Sequence, residues 1–207
     1  MKKPIYRYDI EQRTDEWFAI RQGKMSASNA GIIATNGKGL ETYVYSLMAE
    51  FYSNGEKEHY TNADMERGIL LEPEARIEFQ FYTGLTVKEV GFVEQNEYVG
   101  VSPDGLIGDD GLIEIKCPKD DIYFRLLLND NIKTDYLWQM QMQMLVTNRK
   151  FCYFVSYNPN FEQTLYIKKI DRDEEMIAKL QKGLDDGTKL IKEIKSKYKK
   201  LKGENKW

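Results

Sequence analysis

The sequence predicts an α/β or α+β fold in which a mixed central β-sheet is flanked by helices. Helical patterns dominate up to residue 82, and strand patterns follow up to residue 117. The remainder reads as helices around two further strands, and such an order of elements is typical of layered folds. With 207 residues, 42% of them hydrophobic, the chain can build one domain, residues 1–207, around a sizeable core.

The composition excludes several classes of protein. No apolar run is long enough to span a bilayer and no signal-peptide layout is present, so we expect a soluble, cytoplasmic protein without a membrane partner. Two cysteines, Cys117 and Cys152, are too few to hold an iron–sulfur cluster. Because the chain has a single histidine, His59, we exclude nucleases and hydrolases whose mechanism depends on histidine. Any metal must be held by carboxylates. The net charge of −3 does not point to DNA, so DNA binding would need a local basic surface.

Two short helices are predicted near the N terminus. Thr14 is a suitable N-cap for a helix over residues 15–22, which Gly23 would end. Ser26 or Ser28 would cap a second helix through residue 34. Capped helix starts bind anions through free N–H groups, so Arg21 with Ser28 forms a plausible phosphate site. The equally weighted alternative is that Arg21 is an ordinary surface side chain and that Ser28 does no more than cap the helix.

Two longer helices follow, over residues 40–51 and 62–82, separated by a polar stretch that contains His59 and is predicted to be a solvated loop. Pro73 removes one backbone hydrogen bond from the second helix and should kink it. Glu72 stands directly before this proline, and a kink is a common place to aim a side chain into a cleft. Glu74 and Glu78 are alternatives among which the helical pattern does not choose.

A β-hairpin is predicted in the middle of the chain. Strands over residues 86–93 and 97–101 lead to the turn Pro103-Asp104-Gly105, and the Gly-Asp-Asp-Gly turn at 108–111 folds the next strand, 111–117, back beside the preceding residues. This arrangement would present Asp104 next to the strand that follows the second turn.

The last strand of this hairpin carries the candidate chemistry. Its residues alternate, so Ile113 and Ile115 point to the core while Glu114 and Lys116 point to the other face, about 7 Å apart at the backbone. With Asp104 they supply what phosphodiester hydrolysis needs: carboxylates that hold Mg²⁺ or Mn²⁺, and a lysine that steadies a water and the developing charge. The alternative is a hairpin with surface charges, which makes poor use of buried positions.

The C-terminal part alternates helices and strands. The predicted elements are helices over 122–128 and 135–147, strands over 151–157 and 164–170, and a helix over 173–201. Gln139 and Gln143 share one face of the second of these helices and reach either the site or solvent. Lysines dominate the end of the last helix and form the clearest basic patch for a phosphate backbone, although such a run is more often a solvated helix face.

Several of these segments together resemble a known family. Pro103-Asp104 followed by Glu114-Ile115-Lys116 resembles the signature of the PD-(D/E)xK nuclease superfamily, which has a restriction-endonuclease-like core. Further blocks are similar to the alkaline exonucleases, viral recombinases of the lambda exonuclease type, over nearly the whole length. These blocks are residues 11–17, 21–23, 26–28, 68–76, 102–105, 114–118, 136–147 and 157–159. Ordered blocks at compatible spacing are far more specific than the short signature.

The resemblance implies a role for each candidate residue. The implied ligands of Mg²⁺, for which Mn²⁺ could substitute, are Asp104, Glu114, the Ile115 carbonyl and Glu72. Lys116 would position the attacking water, and Gln139 would contact the region of the nucleophile. The implied grip on the 5' phosphate of the digested strand consists of Arg21, Ser28 and Ser102.

The implied activity is degradation of one strand of linear double-stranded DNA from its 5' end, in phage-type homologous recombination. The 3' single-stranded tail would pass to a single-strand annealing protein, and the enzyme would be a ring-shaped homotrimer of phage or prophage origin. Two alternatives stay open. A restriction or resolvase-like PD-(D/E)xK endonuclease shares the metal site but not the N-terminal phosphate block. A non-catalytic DNA-end-binding protein would not need clustered acids facing a polyanion.

Overall fold

A computed structural model of the chain describes residues 3–53 and 62–203. The predicted loop with His59 lies outside the described residues. In chain order the strands are β1 (Ile5–Arg7), β2 (Val87–Lys88), β3 (Phe92–Asn96), β4 (Val99–Val101), β5 (Gly105–Ile107), β6 (Gly111–Lys116), β7 (Phe151–Tyr157) and β8 (Leu165–Asp171). The helices are α1 (Asp15–Arg21), α2 (Ala30–Thr35), α3 (Lys38–Tyr52), α4 (Ala63–Thr83), α5 (Asp120–Asn129), α6 (Thr134–Thr147) and α7 (Glu174–Gly203).

The larger sheet is mixed, which confirms the predicted fold class. Its strand order is β2-β5-β6-β7-β8; β6 and β7 are parallel, and all other neighbours in this sheet are antiparallel. The predicted turn between β5 and β6 is present, and Gly108 adopts a φ of 51°, which glycine tolerates best. The parallel pair requires a crossover, and α5 and α6 provide it.

The single strand predicted over residues 86–93 is wrong, because the structure divides this stretch between two sheets. Val87 and Lys88 pair with β5, whereas β3 pairs with β1 and β4 in a separate antiparallel sheet. The break comes at Gly91, where a Cβ atom would lie 1.9 Å from the carbonyl oxygen of Ile10. The apolar pattern shows that such a stretch is extended, but it does not show which sheet each half joins.

The helices cover both faces of the mixed sheet. Ala75 and Phe79 of α4 pack with Ile113 of β6 on one face. On the other face α6 contributes to a larger core, which Leu112 of β6 also joins. Because alternate residues of β6 point to opposite faces, Glu114 shares the face of Leu112, and it is 1% exposed. The predicted chemistry therefore lies between two layers of the fold.

The predicted N-terminal helices are partly confirmed. Helix α1 begins after Thr14, whose hydroxyl accepts a hydrogen bond from Trp17 N at 3.3 Å. Ser26, one of the two predicted caps, is the N-cap residue of a 3-10 turn, residues 27–29, that runs directly into α2, but its side chain makes no capping hydrogen bond. The hydroxyl of Ser26 instead lies 3.1 Å from that of Ser28, so neither hydroxyl is spent on a helix start.

The longer helices agree closely with the sequence pattern. Helix α4 continues through Pro73, and α7 continues through Gly187, which approaches the sulfur of Met25. Among the residues that the structure describes, no helix is both long and apolar enough to cross a membrane.

Candidate active site

Two carboxylates meet at one end of the hairpin formed by β5 and β6. Gly105 pairs with Ile113, so Asp104, which directly precedes β5, lies opposite Glu114. Burial raises the pKa of Asp104 well above its ordinary value, and the charges of Glu114 and Glu72 raise it further, while Lys116 offsets part of this effect. The carboxylates are thus close enough to repel one another, and a cation between them would be stabilising.

Glu114 is held by three hydrogen-bond donors. Lys116 Nζ and Gln139 Nε2, the latter at 2.6 Å, donate to its Oε1 atom. Gln143 Nε2 donates to Oε2 at 2.7 Å. The two glutamines were expected to share a face, and the structure turns that face towards Glu114. Gln143 is a site residue that the sequence did not single out, although its spacing of one turn from Gln139 was the available signal.

Lys116 is a cation in this setting. Burial opposes its charge, but the neighbouring carboxylates of Glu114 and Asp104 outweigh burial and raise the pKa of Lys116 above its ordinary value. Its ammonium also lies 5.1 Å from the ring centroid of Tyr136. A lysine that keeps its proton can orient a water or an anion, but it cannot act as a general base at neutral pH.

Glu72 approaches the same site from α4, with both carboxylate oxygens paired to arginines. Arg76 NH2 donates to Oε1 at 2.8 Å, and Arg13 NH2 pairs with Oε2. Arg13 has a φ of 72°, which is uncommon for a residue with a side chain. Nothing in the sequence pattern indicated the contact of Arg13, because 59 residues separate it from Glu72.

A second group of polar side chains centres on the hydroxyl of Ser102. Trp17 Nε1 donates to this oxygen at 2.9 Å and Arg21 NH1 donates at 3.2 Å. The Arg21 guanidinium lies 3.9 Å from the centroid of the Trp17 ring, and burial lowers the pKa of Arg21. The structure therefore brings two of the three predicted phosphate-binding residues, Arg21 and Ser102, into direct contact.

One cleft of about 1320 Å³ connects the two groups. Its lining includes all but one of the predicted site residues, namely Arg21, Ser28, Glu72, Asp104, Glu114, Ile115, Lys116 and Gln139. The remaining residue, Ser102, is linked to the cleft because its hydroxyl accepts a hydrogen bond from Arg21, which lines the cleft. Ser28 accepts a hydrogen bond from Asn29 Nδ2 at 3.4 Å and shares the cleft with Arg21.

The donor atoms at this site suit one class of metal. In the described ranges, no group of three or more His, Cys, Asp and Glu side chains is placed to hold a metal ion by itself. Mg²⁺ is usually held by one or two carboxylates together with waters and substrate phosphates. Asp104 and Glu114, with Ile115 lining the same cleft, fit that requirement.

Comparisons with known proteins agree with this geometry. The family description of the YqaJ-like viral recombinase domain matches residues 16–150, which include both groups of the cleft. The chain is similar to the solved structure of an alkaline exonuclease from Laribacter hongkongensis, with 36% identity and a TM-score of 0.80, over 91% of this chain and 100% of that one. The same exonuclease has been solved in complex with dAMP, with the same identity, coverage and TM-score.

A more distant structure shares the fold. A phage-related exonuclease from Haemophilus somnus 129PT matches with 18% identity and a TM-score of 0.60, over 84% of this chain and 96% of that one. No curated protein sequence matches the chain.

Proposed function

This chain belongs to the YqaJ-like viral recombinase family, and on that premise we propose that it is a magnesium-dependent exonuclease that degrades one strand of linear double-stranded DNA from its 5' end. The family and the similarity to an alkaline exonuclease support a nuclease of phage recombination. The dependence on Mg²⁺, the 5'-to-3' polarity and the 3' single-stranded tail go beyond the family and are our proposal.

The observation that carries the proposal is the position of two chemically different groups in one cleft. Asp104, Glu114 and Lys116 form a carboxylate and ammonium cluster at the end of β6. Arg21 with Ser102 forms a cationic and hydroxyl cluster on the N-terminal side. A cluster that hydrolyses phosphodiesters beside a separate cluster that binds a terminal phosphate is the arrangement that an exonuclease requires.

Asp104, Glu114 and the Ile115 carbonyl would hold Mg²⁺, with Mn²⁺ as a substitute, and Glu72 would support them from α4. When bound, this metal polarises the scissile phosphate and acidifies a water. Lys116, which keeps its proton, donates to the attacking water or to the phosphate oxygens. Gln139, which donates to Glu114 and lines the cleft, reaches the region of the nucleophile.

The 5' phosphate would be bound by Arg21, Ser28 and Ser102. The Ser102 oxygen already accepts hydrogen bonds from Trp17 and Arg21, so its own hydrogen is directed to another acceptor, and a phosphate oxygen provides one. Stacking on Trp17 holds the Arg21 guanidinium in place, which lowers the entropic cost of binding. The dAMP bound by the similar exonuclease is a 5' phosphomonoester, which supports a site for such a group.

The remaining parts of the proposal concern assembly. We place the enzyme in the cytoplasm of a bacterial host, as a homotrimer whose ring encloses the duplex and whose 3' single-stranded product is passed to an annealing protein. An enclosed DNA leaves only by its end, so dissociation between successive cuts becomes rare. Sedimentation equilibrium should give three times the chain mass of 24.3 kDa, and a monomer would reject the ring.

The decisive experiment compares linear duplexes with 5' phosphate and 5' hydroxyl ends. We expect the wild type to prefer the phosphate, and Arg21→Gln to lower kcat/KM on that end by roughly 10- to 100-fold, the value of one charge-assisted hydrogen bond. Arg7→Gln is the control, because Arg7 pairs with Asp9 and Glu94 and does not line the cleft. An unchanged preference in the Arg21 variant would reject the phosphate site.

The same preparation tests the reaction class. Chelation of divalent metal should stop digestion and added Mg²⁺ should restore it, whereas closed circular duplex should survive in both conditions. Equal cutting of circles and linear DNA would favour the endonuclease alternative, and digestion in the presence of chelator would reject the metal.

A further inference from the structure

The buried carboxylate of Glu114 has an uneven set of donors. Lys116 and Gln139 both donate to Oε1, whereas among the described residues Oε2 accepts only from Gln143, at 2.7 Å. An ionised carboxylate offers about four lone-pair positions, two on each oxygen. Three are occupied here, and the remaining position belongs to Oε2. The oxygen that is free to bind a cation is therefore the one that Gln143 holds.

Gln143 cannot itself reach a substrate. It is 0% exposed and is not part of the cleft lining, whereas Gln139, one turn earlier on α6, does line the cleft. The amide of Gln143 thus acts from behind Glu114. Its influence on the reaction must pass through the carboxylate that it contacts.

Only one end of the Gln143 amide is hydrogen-bonded within the described residues. Its Oε1 atom is buried and has no hydrogen-bond partner in the described part of the chain, which is rare for a buried polar atom. Rotating the amide would turn this oxygen towards the carboxylate oxygen of Glu114, which would be repulsive, so the donor orientation is imposed by Glu114. The neighbouring inward positions of α6 are occupied by methionine, at Met140, Met142 and Met144, so an apolar side chain would fit the surroundings.

We propose that Gln143 is a positioning residue that orients the Glu114 carboxylate, so that the free lone pair of Oε2 meets the divalent cation. This proposal rests on the proposed metal-dependent function. It adds that α6 orients the ligand, because both glutamines that donate to the Glu114 carboxylate belong to this one helix. Groups that orient a metal ligand commonly change metal affinity about 10- to 100-fold when they are replaced.

The test measures metal binding without DNA and without turnover. Mn²⁺ is titrated into the wild type and Gln143→Met, and the free ion is followed by its electron paramagnetic resonance signal. We expect the variant to bind Mn²⁺ about 10- to 100-fold more weakly. The loss of the donor to Glu114 Oε2 lowers the melting temperature of this variant, and the removal of the unpaired Oε1 atom offsets part of that loss.

Gln141→Met is the matched control. Gln141 is 2% exposed on the same helix, but it donates to Asp171 O at 2.9 Å and accepts from Asp173 N at 2.9 Å, away from Glu114. This variant should lower the melting temperature and leave Mn²⁺ affinity unchanged. Both variants lose hydrogen bonds of a buried glutamine, so Mn²⁺ affinity, which only Gln143→Met should weaken, separates an effect on the site from a general effect on packing.

The outcomes are distinguishable. If the wild type binds Mn²⁺ and Gln143→Met binds it equally well, the role of Gln143 is rejected and the proposed function stands. If the wild type binds no Mn²⁺ and digests no DNA, both are rejected. If the methionine variant does not fold, Gln143→Asn replaces it, because an amide shorter by one methylene does not reach Glu114 and should give the same weakening.

Discussion

Replacing Arg149 tests what holds the hairpin of the candidate site, β5 and β6, in shape. Arg149 is 8% exposed, and its NH1 atom donates to the carbonyl oxygens of Ile107, Gly108 and Gly111, at 3.4, 2.9 and 2.6 Å. These carbonyls flank the turn between β5, which Asp104 directly precedes, and β6, which contains Glu114. We expect Arg149→Met to destabilise the protein by loosening this turn.

The size of the effect follows from the contacts. A buried acceptor that loses its donor costs about 1–3 kcal/mol, and two of the three distances are short enough to count fully. Removing a buried charge, whose Nε atom has no partner among the described residues, offsets part of this cost. A net loss of about 3 kcal/mol would lower the melting temperature by roughly 6–12 °C for a chain of this size.

Differential scanning calorimetry of Arg149→Met and Lys150→Met provides the measurement. Lys150 is the adjacent residue, its side chain is 73% exposed, and it pairs with Asp110 of the same turn at 2.8 Å. An exposed pair is worth about 1 kcal/mol at most, so the control should melt within roughly 4 °C of the wild type. If both variants melt at the same temperature, the buried guanidinium does not hold the turn and the reasoning fails.

Two further predictions concern packing and pH. Gly183→Ala should lower stability by about 1–3 kcal/mol, because its Cβ would lie 1.9 Å from the carbonyl oxygen of Ile33. Gly68→Ala is the control: a Cβ at this helix position meets nothing within 4 Å and should raise stability by up to about 1 kcal/mol. Equal melting temperatures of the two variants would contradict the contact of α7 with α2. Burial raises the pKa of Tyr123 to about 12, so its stabilisation is complete below the unfolded-state pKa of 10.0 and is lost as the pH rises towards 12. The melting temperature of the wild type relative to Tyr123→Phe should therefore fall between pH 10.0 and about 12, and a constant difference would contradict the raised pKa.

Much of the local structure could be predicted from the sequence because short-range forces determine it. Thr14 caps α1 because its hydroxyl accepts a hydrogen bond from the backbone N–H of Trp17, only three residues away. The alternation in β6 separates Ile113 from Glu114 because successive side chains on a strand point to opposite faces. The hairpin turn then brings Asp104 beside Glu114, so the central part of the candidate site follows from neighbouring residues.

Other features depended on contacts between distant parts of the chain. Ser26 takes the predicted N-cap position, but its hydroxyl contacts that of Ser28 and makes no capping bond. The strand predicted over residues 86–93 was wrong because its halves find different partners. The same holds for Ser102 and Arg21, which are 81 residues apart.

Sequence periodicity determined which residues are helical, which are extended, and that Glu114 and Lys116 share one strand face. Only the tertiary structure decided that α6 closes over that face, that Gln143 holds the second oxygen of Glu114, and that Arg13 reaches Glu72. The physical reason is that secondary structure arises from interactions within a few residues, whereas the direction of a polar side chain across a layer depends on how helices and sheets pack together.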